Sequence, residues 1–308
     1  MEENVTSGKK VFFDESETES EELADIIASQ KMFQTQTKSK PLTTYMFVDI
    51  NNYKFKSWNN YFSDGNVDIY KLLFNPTWNN FFTEASKHVT SVESELTGFL
   101  KNNKSDKIVP PPELVFNIFN ILNLSKIQVV ILGQDPYQND KWATGFSFSI
   151  PLGIDSTSSL NNIYNNLIKY KHIETKPKCG CLTGWVLQGC FMLNAALTTF
   201  VSKSNAHRKT WFNFTKQLMT YINDNCNNCV FLAWGADAFK MCDKIDRNKH
   251  HVIASSHPSG YSYNNTFTGT LNGTSTVYPS FESIDHFGLA NKYLVQNKKK
   301  EIIWDLIY

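Results

Sequence analysis

Four short apolar segments, each ending at a glycine or a polar residue, constrain the fold of this chain more than any other feature. They occupy residues 129–133, 191–194, 230–235 and 251–257, and stretches with helical periodicity lie between them. Short apolar segments that alternate with helices are typical of parallel strands buried on both faces. The sequence therefore predicts an α/β fold, with a central four-stranded parallel sheet flanked by helices on both faces and an N-terminal extension.

The first apolar segment is followed by the sequence Gln-Asp-Pro-Tyr at 134–137. Proline fixes its own φ and disfavours a helical conformation in the residue before it, so the chain is expected to turn sharply here. Asn194, Gly235 and His257 end the other three segments. Because ligands of open α/β sheets bind at the carboxyl ends of the strands, we expect all four strand ends to meet at one ligand-binding rim.

The side chains expected at this rim suit a flat, polar, uncharged ring. Asp135 supplies an acid, Asn194 an amide and His257 an imidazole, with aromatic residues nearby. Each also has a simpler explanation: Asp135 could cap a helix, Asn194 could cap a turn, and His257 could be a buried core histidine. Their expected occurrence on one rim favours a pocket. The chain has no G-x-x-x-x-G-K-[ST] loop and no G-x-G-x-x-G after a strand, which argues against a nucleotide-phosphate site.

The segments between the strands carry further predictions. Apolar spacing predicts helices that begin near Trp78 and that span residues 113–122, 160–171 and 211–223. Residues 145–150 are expected to form a short strand-like piece, and residues 155–159 a polar loop that caps the following helix. Residues 263–280, rich in Asn, Thr and Gly, are expected to form an exposed loop.

Charge is distributed unevenly along the chain. Residues 1–75 hold 8 Lys/Arg against 12 Asp/Glu, and residues 76–308 hold 22 against 17. We interpret 1–40 as a disordered acidic leader, whose alternative role is docking of a partner or phosphorylation, and 41–75 as an appendage of uncertain structure. Residues 76–308 form the expected catalytic domain, whose moderately basic character suits a polyanionic partner such as DNA.

The chain has no apolar run long enough to span a membrane and no secretion or mitochondrial signal at its start. We therefore expect a non-secreted protein in a reducing compartment, with its six cysteines as thiols. Cys226 and Cys229 have the spacing of zinc ligands, and Cys179 and Cys181 could supply a second pair. Because no second C-x-x-C accompanies Cys226 and Cys229, we predict no metal site.

Seven motifs in this chain resemble those of family 1 uracil-DNA glycosylases, in the same order and at similar spacing. The resemblance runs from about Trp78 to the C-terminus and leaves residues 1–75 uncovered. The motifs are Gly-Gln-Asp-Pro-Tyr from 133, Gly-Phe-Ser-Phe-Ser from 145, Leu-Asn-Asn-Ile-Tyr from 160, Gly-Trp from 184, Leu-Asn-Ala-Ala-Leu-Thr from 193, Leu-Ala-Trp-Gly-Ala from 232 and His-Pro-Ser-Gly-Tyr-Ser from 257.

The resemblance implies hydrolysis of the N-glycosidic bond of uracil in DNA, the first step of base-excision repair, without a metal or an organic cofactor. It implies that Asp135 orients the attacking water beside the sugar and that a neutral His257 donates a hydrogen bond to O2 of the departing uracil. The uracil-binding residues that it implies are Gln134, Tyr137, Phe148 and Asn194. Among these, Asn194 would read O4 and N3–H, Tyr137 would exclude the methyl group of thymine, and Phe148 would stack on the ring.

The resemblance also implies that short serine-bearing and glycine-bearing loops clamp the DNA backbone and extrude the uracil. The implied DNA-binding residues are Ser159, Gly235, Ala236, Ser259, Gly260, Tyr261 and Ser262. His207, Arg208 and Lys209 are expected either to add phosphate contacts or to form a solvated surface cluster. The implied partners are single- and double-stranded DNA that contains uracil and, through residues 1–75, a replication or repair protein. The protein is expected to be a monomer in the nucleus or at a cytoplasmic or viral replication site.

Three departures from the family pattern concern DNA binding rather than the uracil pocket. Gly260 and Tyr261 stand where the family has proline and a wedging leucine, and Gly260 is expected to loosen this loop. The family's proline-rich loop is replaced by residues 155–159, and Gln138 replaces a histidine. Two other functions stay open: a non-catalytic DNA-binding or scaffold protein, and a base-excision enzyme for thymine or uracil in mismatches.

Overall fold

The computed structural model describes residues 54–102 and 107–307. The predicted acidic leader, residues 1–40, lies outside the described residues, as do residues 41–53 of the predicted appendage. No helix among the described residues has both the length and the apolar character that crossing a membrane requires.

The described residues contain eight strands and nine α-helices, numbered here along the chain. The strands are β1 Ile108–Val109, β2 Val129–Gly133, β3 Cys190–Asn194, β4 Thr199–Phe200, β5 Val230–Trp234, β6 His251–Ser255, β7 Phe267–Leu271 and β8 Thr274–Tyr278. The helices are α1 Trp58–Tyr61, α2 Asn79–Glu84, α3 Ser86–Asn102, α4 Asn117–Ile121, α5 Ser158–Lys169, α6 Thr183–Leu187, α7 Arg208–Asn225, α8 Ala236–Met241 and α9 His286–Gln296.

The central sheet has the spatial order β3-β2-β5-β6, and all its neighbouring pairs are parallel. This confirms the four-stranded parallel sheet. Strand β2 lies in the interior, with β3 on one side and β5 on the other, so the order of the strands reverses beside it. Such a reversal opens a crevice at the carboxyl ends of the two strands. The turn 134–137 after β2 and the loop after β5 therefore flank the same crevice.

Helices cover both faces of the sheet, as predicted. On one face Phe191 of β3 packs edge-on against Phe119 of α4 at a centroid distance of 5.4 Å. Phe231 of β5 lies in the same row as Phe191, because both pair with the same residue of β2. Trp234 lies three residues beyond Phe231 and so points to the opposite face, where it contacts Phe287 of α9 at 6.2 Å. The apolar side chains of the strands are thus buried between two helical layers.

Residues 54–75 pack onto the rest of the described chain and share its core. Trp58 is buried and its indole N–H donates to the carbonyl of Pro110 over 2.9 Å. The backbone N–H groups of Val67 and Ile69 donate to Thr97 Oγ1 and Glu93 Oε1, both in α3, over 2.9 Å each. Trp58 and Phe62 of this segment are therefore part of the core, and the backbone of Val67 and Ile69 ties the segment to α3.

The expectation of an exposed loop at residues 263–280 was wrong in its conformation. Strands β7 and β8 form an antiparallel hairpin, with Phe267 opposite Tyr278. Asn272 and Gly273 connect the strands, and both have positive φ angles, of 50° and 78°. An Asn-Gly pair between alternating residues is a strong hairpin signal, because both central residues of a type I′ turn need positive φ. The hairpin rests on Phe239 of α8 through Phe267 and Tyr278.

Two other local predictions were also wrong. Residues 145–150 form bends rather than a strand, and Phe148 within them has a φ of 62°. The predicted helix over 113–122 is broken into a 3-10 turn, Pro112–Leu114, and the five residues of α4. In both places aromatic and apolar side chains are buried by tertiary packing, so their spacing indicated burial correctly and backbone conformation incorrectly.

Candidate active site

Asn194 lies at the carboxyl end of β3, directly opposite Gly133 of β2. A side chain at Gly133 would overlap the Asn194 amide oxygen, so only glycine allows the amide to lie over the neighbouring strand. Asn194 is only 7% exposed and its amide forms no hydrogen bond within the described part of the chain, but the amide atoms are not cut off from solvent. The amide is therefore available to pair with the hydrogen-bonding edge of a ligand.

Asp135 is held in place by the loop that follows β4. Its Oδ2 atom accepts the backbone N–H of Asn205 over 2.6 Å and the hydroxyl of Ser204 over 3.3 Å. Burial raises the pKa of this carboxyl above its ordinary value, and the two hydrogen bonds oppose that rise. The short bond to a backbone donor fixes the orientation of the carboxylate and leaves its second oxygen for another partner.

His257 follows β6 by two residues and is held in one tautomer. Its Nδ1 atom accepts the backbone N–H of Ser259 over 3.0 Å, so the proton of the neutral ring is on Nε2. Burial lowers the pKa of His257 to about 4, although the negative charge of Asp237 acts in the opposite direction. At neutral pH His257 is therefore an uncharged imidazole with one N–H to donate.

Tyr137 and Phe148 form a coupled aromatic pair beside these polar groups. The Tyr137 hydroxyl donates to the carbonyl oxygen of Phe148 over 2.9 Å and lies 3.0 Å from Thr157 Oγ1. Burial raises the pKa of this phenol to about 12, so it stays protonated. The Phe148 ring lies 5.9 Å from the His257 ring, and its positive φ is a strained conformation for a bulky residue. The hydrogen bond from Tyr137 helps to hold Phe148 in this conformation beside His257.

Gln134 is exposed at the entrance to the crevice. Its carbonyl oxygen accepts the backbone N–H of Ala196 over 3.0 Å, which fastens the turn after β2 to the chain leaving β3. We call Gln134, Asp135, Tyr137, Phe148, Asn194 and His257 the base pocket, after the role that the resemblance implies for them. The sequence-predicted members of this group thus lie on the turn after β2, the ends of β3 and β6, and the segment that carries Phe148.

The predicted DNA-binding residues lie at the start of α5, at the start of α8 and on the loop after β6, around the same crevice. Gly235 has a φ of 90°, and a side chain there would approach the His257 Cβ to 3.1 Å. Ala236 is exposed at the start of α8. Ser159 belongs to α5 rather than to a loop, because Thr157 caps this helix by accepting the N–H of Leu160. The polar loop predicted at 155–159 is therefore shorter than expected.

The loop after β6, residues 258–262, is anchored at both ends. Asn162 of α5 donates to the carbonyl of Pro258 over 2.8 Å, and Ser256 donates to the carbonyl of Ser262 over 2.8 Å. Tyr261 at its tip is 96% exposed. No atom lies within 4 Å of a side chain placed at Gly260. We call Ser159, Gly235, Ala236, Ser259, Gly260, Tyr261 and Ser262 the outer loops.

His207 cannot contact DNA, contrary to one of the two expectations for this cluster. It is fully buried, its Nδ1 lies 2.8 Å from Thr198 Oγ1, and its ring stacks on Phe99 at 4.5 Å. Burial lowers its pKa to about 4. Arg208 is half-exposed at the start of α7, and Lys209 is exposed beside it. Only these two of the three cations remain available to a ligand.

Three residues that position the site were not assigned a role from the sequence. Asn205 holds Asp135 through its backbone, a contact that leaves no signature in a sequence. Thr157 and Asn162 act through their side chains. Asn162 lies within a motif that resembled the family, and an amide on an otherwise amphipathic helix was a signal for a contact of this kind.

The paired cysteines lie away from the crevice. Cys226 and Cys229 precede β5 at the opposite edge of the sheet, and their thiols donate to the carbonyls of Leu124 and Ile127. Across residues 54–102 and 107–307, no three His, Cys, Asp or Glu side chains are grouped as metal ligands.

Comparisons with known proteins agree with this geometry. Residues 119–274 match the family model of the uracil DNA glycosylase superfamily. A probable uracil-DNA glycosylase of Acanthamoeba polyphaga mimivirus is 47% identical over 275 residues, which cover 86% of this chain and 74% of the relative. The uracil-DNA glycosylase of Borrelia hermsii is 38% identical over 211 residues, which cover 67% of this chain and 88% of the relative.

A crystal structure of the mimivirus uracil-DNA glycosylase superposes on this chain with a TM-score of 0.83 and 46% identity. The superposition covers 87% of this chain and 100% of the other. Residues 76–308 alone make up less of the chain than that, so this likeness extends into the segment before residue 76, where the sequence had shown none. On the strength of its motifs, its sheet and these matches, the chain belongs to the uracil-DNA glycosylase family.

Proposed function

We propose that the base pocket is where this uracil-DNA glycosylase hydrolyses the N-glycosidic bond of uracil, leaving an abasic site for base-excision repair. The observation that carries the proposal is the solvent-accessible amide of the largely buried Asn194, which no group among the described residues satisfies, on the same rim as Asp135 and His257. A pocket of this kind binds a neutral, planar base through its hydrogen-bonding edge. It needs no positively charged side chain for this.

Asp135 is the proposed partner of the sugar and of the attacking water. Breakage of an N-glycosidic bond leaves positive charge on the sugar, in an oxocarbenium-like transition state. The Asp135 carboxylate, fixed through Oδ2 by Asn205, offsets that charge and accepts a hydrogen bond from the water. Because burial disfavours the isolated carboxylate, the charge is stabilised most when the sugar becomes positive.

His257 is the proposed donor to the departing base. Uracil leaves as an anion, with charge developing on O2, and the Nε2–H of a neutral imidazole stabilises that charge by a hydrogen bond. The tautomer needed for this is the one that the Ser259 N–H imposes. A donor already oriented before the reaction costs no reorganisation in the transition state.

Asn194 and Tyr137 are the proposed selectivity residues. The Asn194 amide pairs with O4 and N3–H of uracil, and cytosine reverses both of these groups, which would leave buried polar atoms mismatched. The Tyr137 ring occupies the space that the methyl group of thymine would need, and its two hydrogen bonds prevent it from moving aside. Phe148 stacks on the ring, and Gln134 contributes its backbone and side chain at the entrance.

The outer loops are the proposed DNA-binding surface. Short hydroxyls and backbone N–H groups of Ser159, Gly235, Ala236, Ser259 and Ser262 would hold phosphates without reading sequence. Tyr261, projecting on the turn after Gly260, would fill the space that the extruded uracil leaves in the base stack. The proposed substrates are therefore both single- and double-stranded DNA that contains uracil.

The remaining proposals concern the organisation of the chain. We propose that residues 76–308 form the catalytic domain and that the protein acts as a monomer. Residues 1–75 are the proposed docking region for a replication or repair protein, with the acidic part at 1–40. The proposed place of action is the nucleus or a cytoplasmic or viral site of DNA replication.

The test is to incubate the purified chain, in the presence of EDTA, with labelled single- and double-stranded oligonucleotides that contain one uracil. Abasic sites are then cleaved with alkali. Matched oligonucleotides with thymine, cytosine or a T·G mismatch are the controls. We expect cleavage only of the uracil strands. Absence of cleavage by a chain that still binds DNA would favour a scaffold function, and cleavage of the T·G control would favour a mismatch enzyme.

A further inference from the structure

An exposed ion pair lies between the base pocket and the outer loops. Arg208 Nη2 donates to Asp237 Oδ1 over 2.6 Å, and the two side chains are 50% and 47% exposed. Arg208 is the first residue of α7, and Asp237 is the second residue of α8. Asp237 therefore follows directly on Gly235 and Ala236, two residues proposed to contact the DNA backbone.

The Arg208–Asp237 pair lies next to residues of the base pocket and next to the Gly235-Ala236 turn. Arg208 and Asp237 line a small recess together with Gln134 and Asn205, which belong to the turn after β2 and to the loop that holds Asp135. The charge of Asp237 also reaches the His257 ring. If the sugar lies beside Asp135 and the backbone follows the Gly235-Ala236 turn, as proposed above, a phosphate next to the extruded uracil passes this recess.

A carboxylate in such a position opposes the binding of a polyanion. The guanidinium fork, however, binds carboxylate and phosphate with the same geometry, so one anion can replace the other on Arg208. An exposed ion pair contributes little to the stability of the fold, so breaking the Arg208–Asp237 pair to bind a phosphate costs little free energy. Lys240, three residues after Asp237 on α8 and in the same recess, can pair with the carboxylate once Arg208 is taken.

We propose that Asp237 occupies Arg208 as an internal substitute for a DNA phosphate, and that a phosphate adjacent to the flipped uracil displaces it when DNA binds. This rests on the proposed function and deepens it. Arg208 is then a phosphate-binding residue of the enzyme. Asp237 weakens the DNA complex, because the gain of one phosphate contact is accompanied by the loss of one internal ion pair.

The experiment measures how DNA affinity depends on salt in wild type and in Asp237→Asn. The probe is a duplex with an abasic-site analogue that cannot be cleaved, and binding is followed by fluorescence anisotropy over a series of KCl concentrations. Each phosphate neutralised contributes roughly −0.9 to the slope of log K against log salt on duplex DNA. We expect Asp237→Asn to bind more tightly than wild type with a similar slope, because Arg208 contacts the same phosphate in both complexes. Arg208→Gln, alone or added to Asp237→Asn, should make the slope shallower by about that amount and abolish the gain in affinity.

Asp68→Asn is the matched control. Asp68 is also an exposed partner of a cation, Lys71, and its substitution changes the net charge equally, but it lies in the segment that packs on α3. It should leave the affinity for DNA unchanged. Equal gains in affinity for Asp237→Asn and Asp68→Asn would overturn the proposal, because they would show a general effect of charge. So would a gain in affinity for Asp237→Asn that persists when Arg208 is replaced.

Activity separates this proposal from the proposed function. Release of uracil by wild type is measured on the same preparations, so an inactive wild type would reject the function whatever the slopes show. Asp237→Asn also removes a charge that favours protonation of His257. Since the pKa of His257 is about 4 even with Asp237 present, the ring stays neutral at pH 7 in both proteins. A change in DNA binding at that pH therefore reports on Arg208.

Discussion

The base pocket and the outer loops face the same crevice but are built differently. In the pocket, Asp135 accepts a hydrogen bond from a distant loop at 2.6 Å, Tyr137 donates one to Phe148 at 2.9 Å, and His257 accepts one from Ser259, two residues further along, at 3.0 Å. On the outer loops Tyr261 is almost fully exposed and Gly260 has open space around it. We infer that the groups proposed to stabilise charge in one geometry are fixed beforehand, whereas the groups proposed to meet a deformable DNA backbone are left free. Substitutions should therefore affect the chemical step in the pocket and DNA binding on the loops.

The largest expected effect is that of Asp135→Asn. Loss of a positioned carboxylate that serves the attacking water should lower kcat by roughly 10²–10⁴-fold. Because burial raises the pKa of Asp135 in the folded protein, its ionised form opposes folding at neutral pH, and the uncharged amide should leave the melting temperature unchanged or raise it. Single-turnover uracil release and a thermal melt at pH 7 check both parts. Wild-type turnover, or a protein that unfolds, would contradict the assignment.

His257→Leu should lower kcat by about 10²–10³-fold through loss of the donor to O2. It should also alter acid stability. The pKa of His257 is about 4 when folded, against an ordinary value of 6.5, so the unfolded chain binds the extra proton and stability falls as the pH drops from 6.5 towards 4. Leucine binds no proton, so urea melts over this range should show a shallower loss of stability than wild type. An unchanged dependence would mean that His257 is not buried as a neutral ring.

Tyr261→Ala moves the comparison to the outer loops. Stacking of an aromatic ring on a base is worth roughly 1–3 kcal/mol in other systems, so excision from duplex DNA should slow by about tenfold. Excision from single strands should change much less, since a single strand has no partner stack to fill. Tyr261→Phe, which keeps the ring, is the control and should behave as wild type on both substrates. Equal slowing on the two substrates would reject the role of a wedge.

The sequence predicted those parts of the site that the residue type at a strand end determines by itself. A strand that ends in glycine, and an Asn or His at the next strand end, lie on one rim by the geometry of a parallel sheet alone. The sheet and its helical layers were predictable because short apolar segments alternate with segments of helical periodicity. Gly133 adds a second signal, since only a residue without a side chain leaves room for Asn194.

What the sequence did not predict depends on contacts between distant backbone atoms. The donor to Asp135 is the Asn205 N–H, from a loop 70 residues away, and any residue type except proline supplies such a group. His207 is a second case. Its ring stacks on the distant Phe99, and the basic residues beside it in the sequence do not reveal that contact. The hairpin at β7 and β8 is different, since the Asn-Gly turn was present in the sequence and was read as loop composition.

The smallest expected effect is that of Ser204→Ala, which tests how the pocket sets the charge of Asp135. The Ser204 hydroxyl, at 3.3 Å from Oδ2, is one of two hydrogen bonds that lower a pKa otherwise raised by burial. Its removal should raise the pKa of Asp135 and move the acid limb of kcat/KM to higher pH, while the rate well above that limb stays close to wild type. The contribution of His257, near pH 4, is common to both proteins and cancels in the comparison. Ser202→Ala, on the same loop, is the control, because Ser202 meets the turn after β2 through its backbone N–H to Gln138 and not through its hydroxyl. A shift in both variants would indicate a general loosening of the loop, and a shift in neither would mean that the Asn205 N–H alone holds the carboxylate.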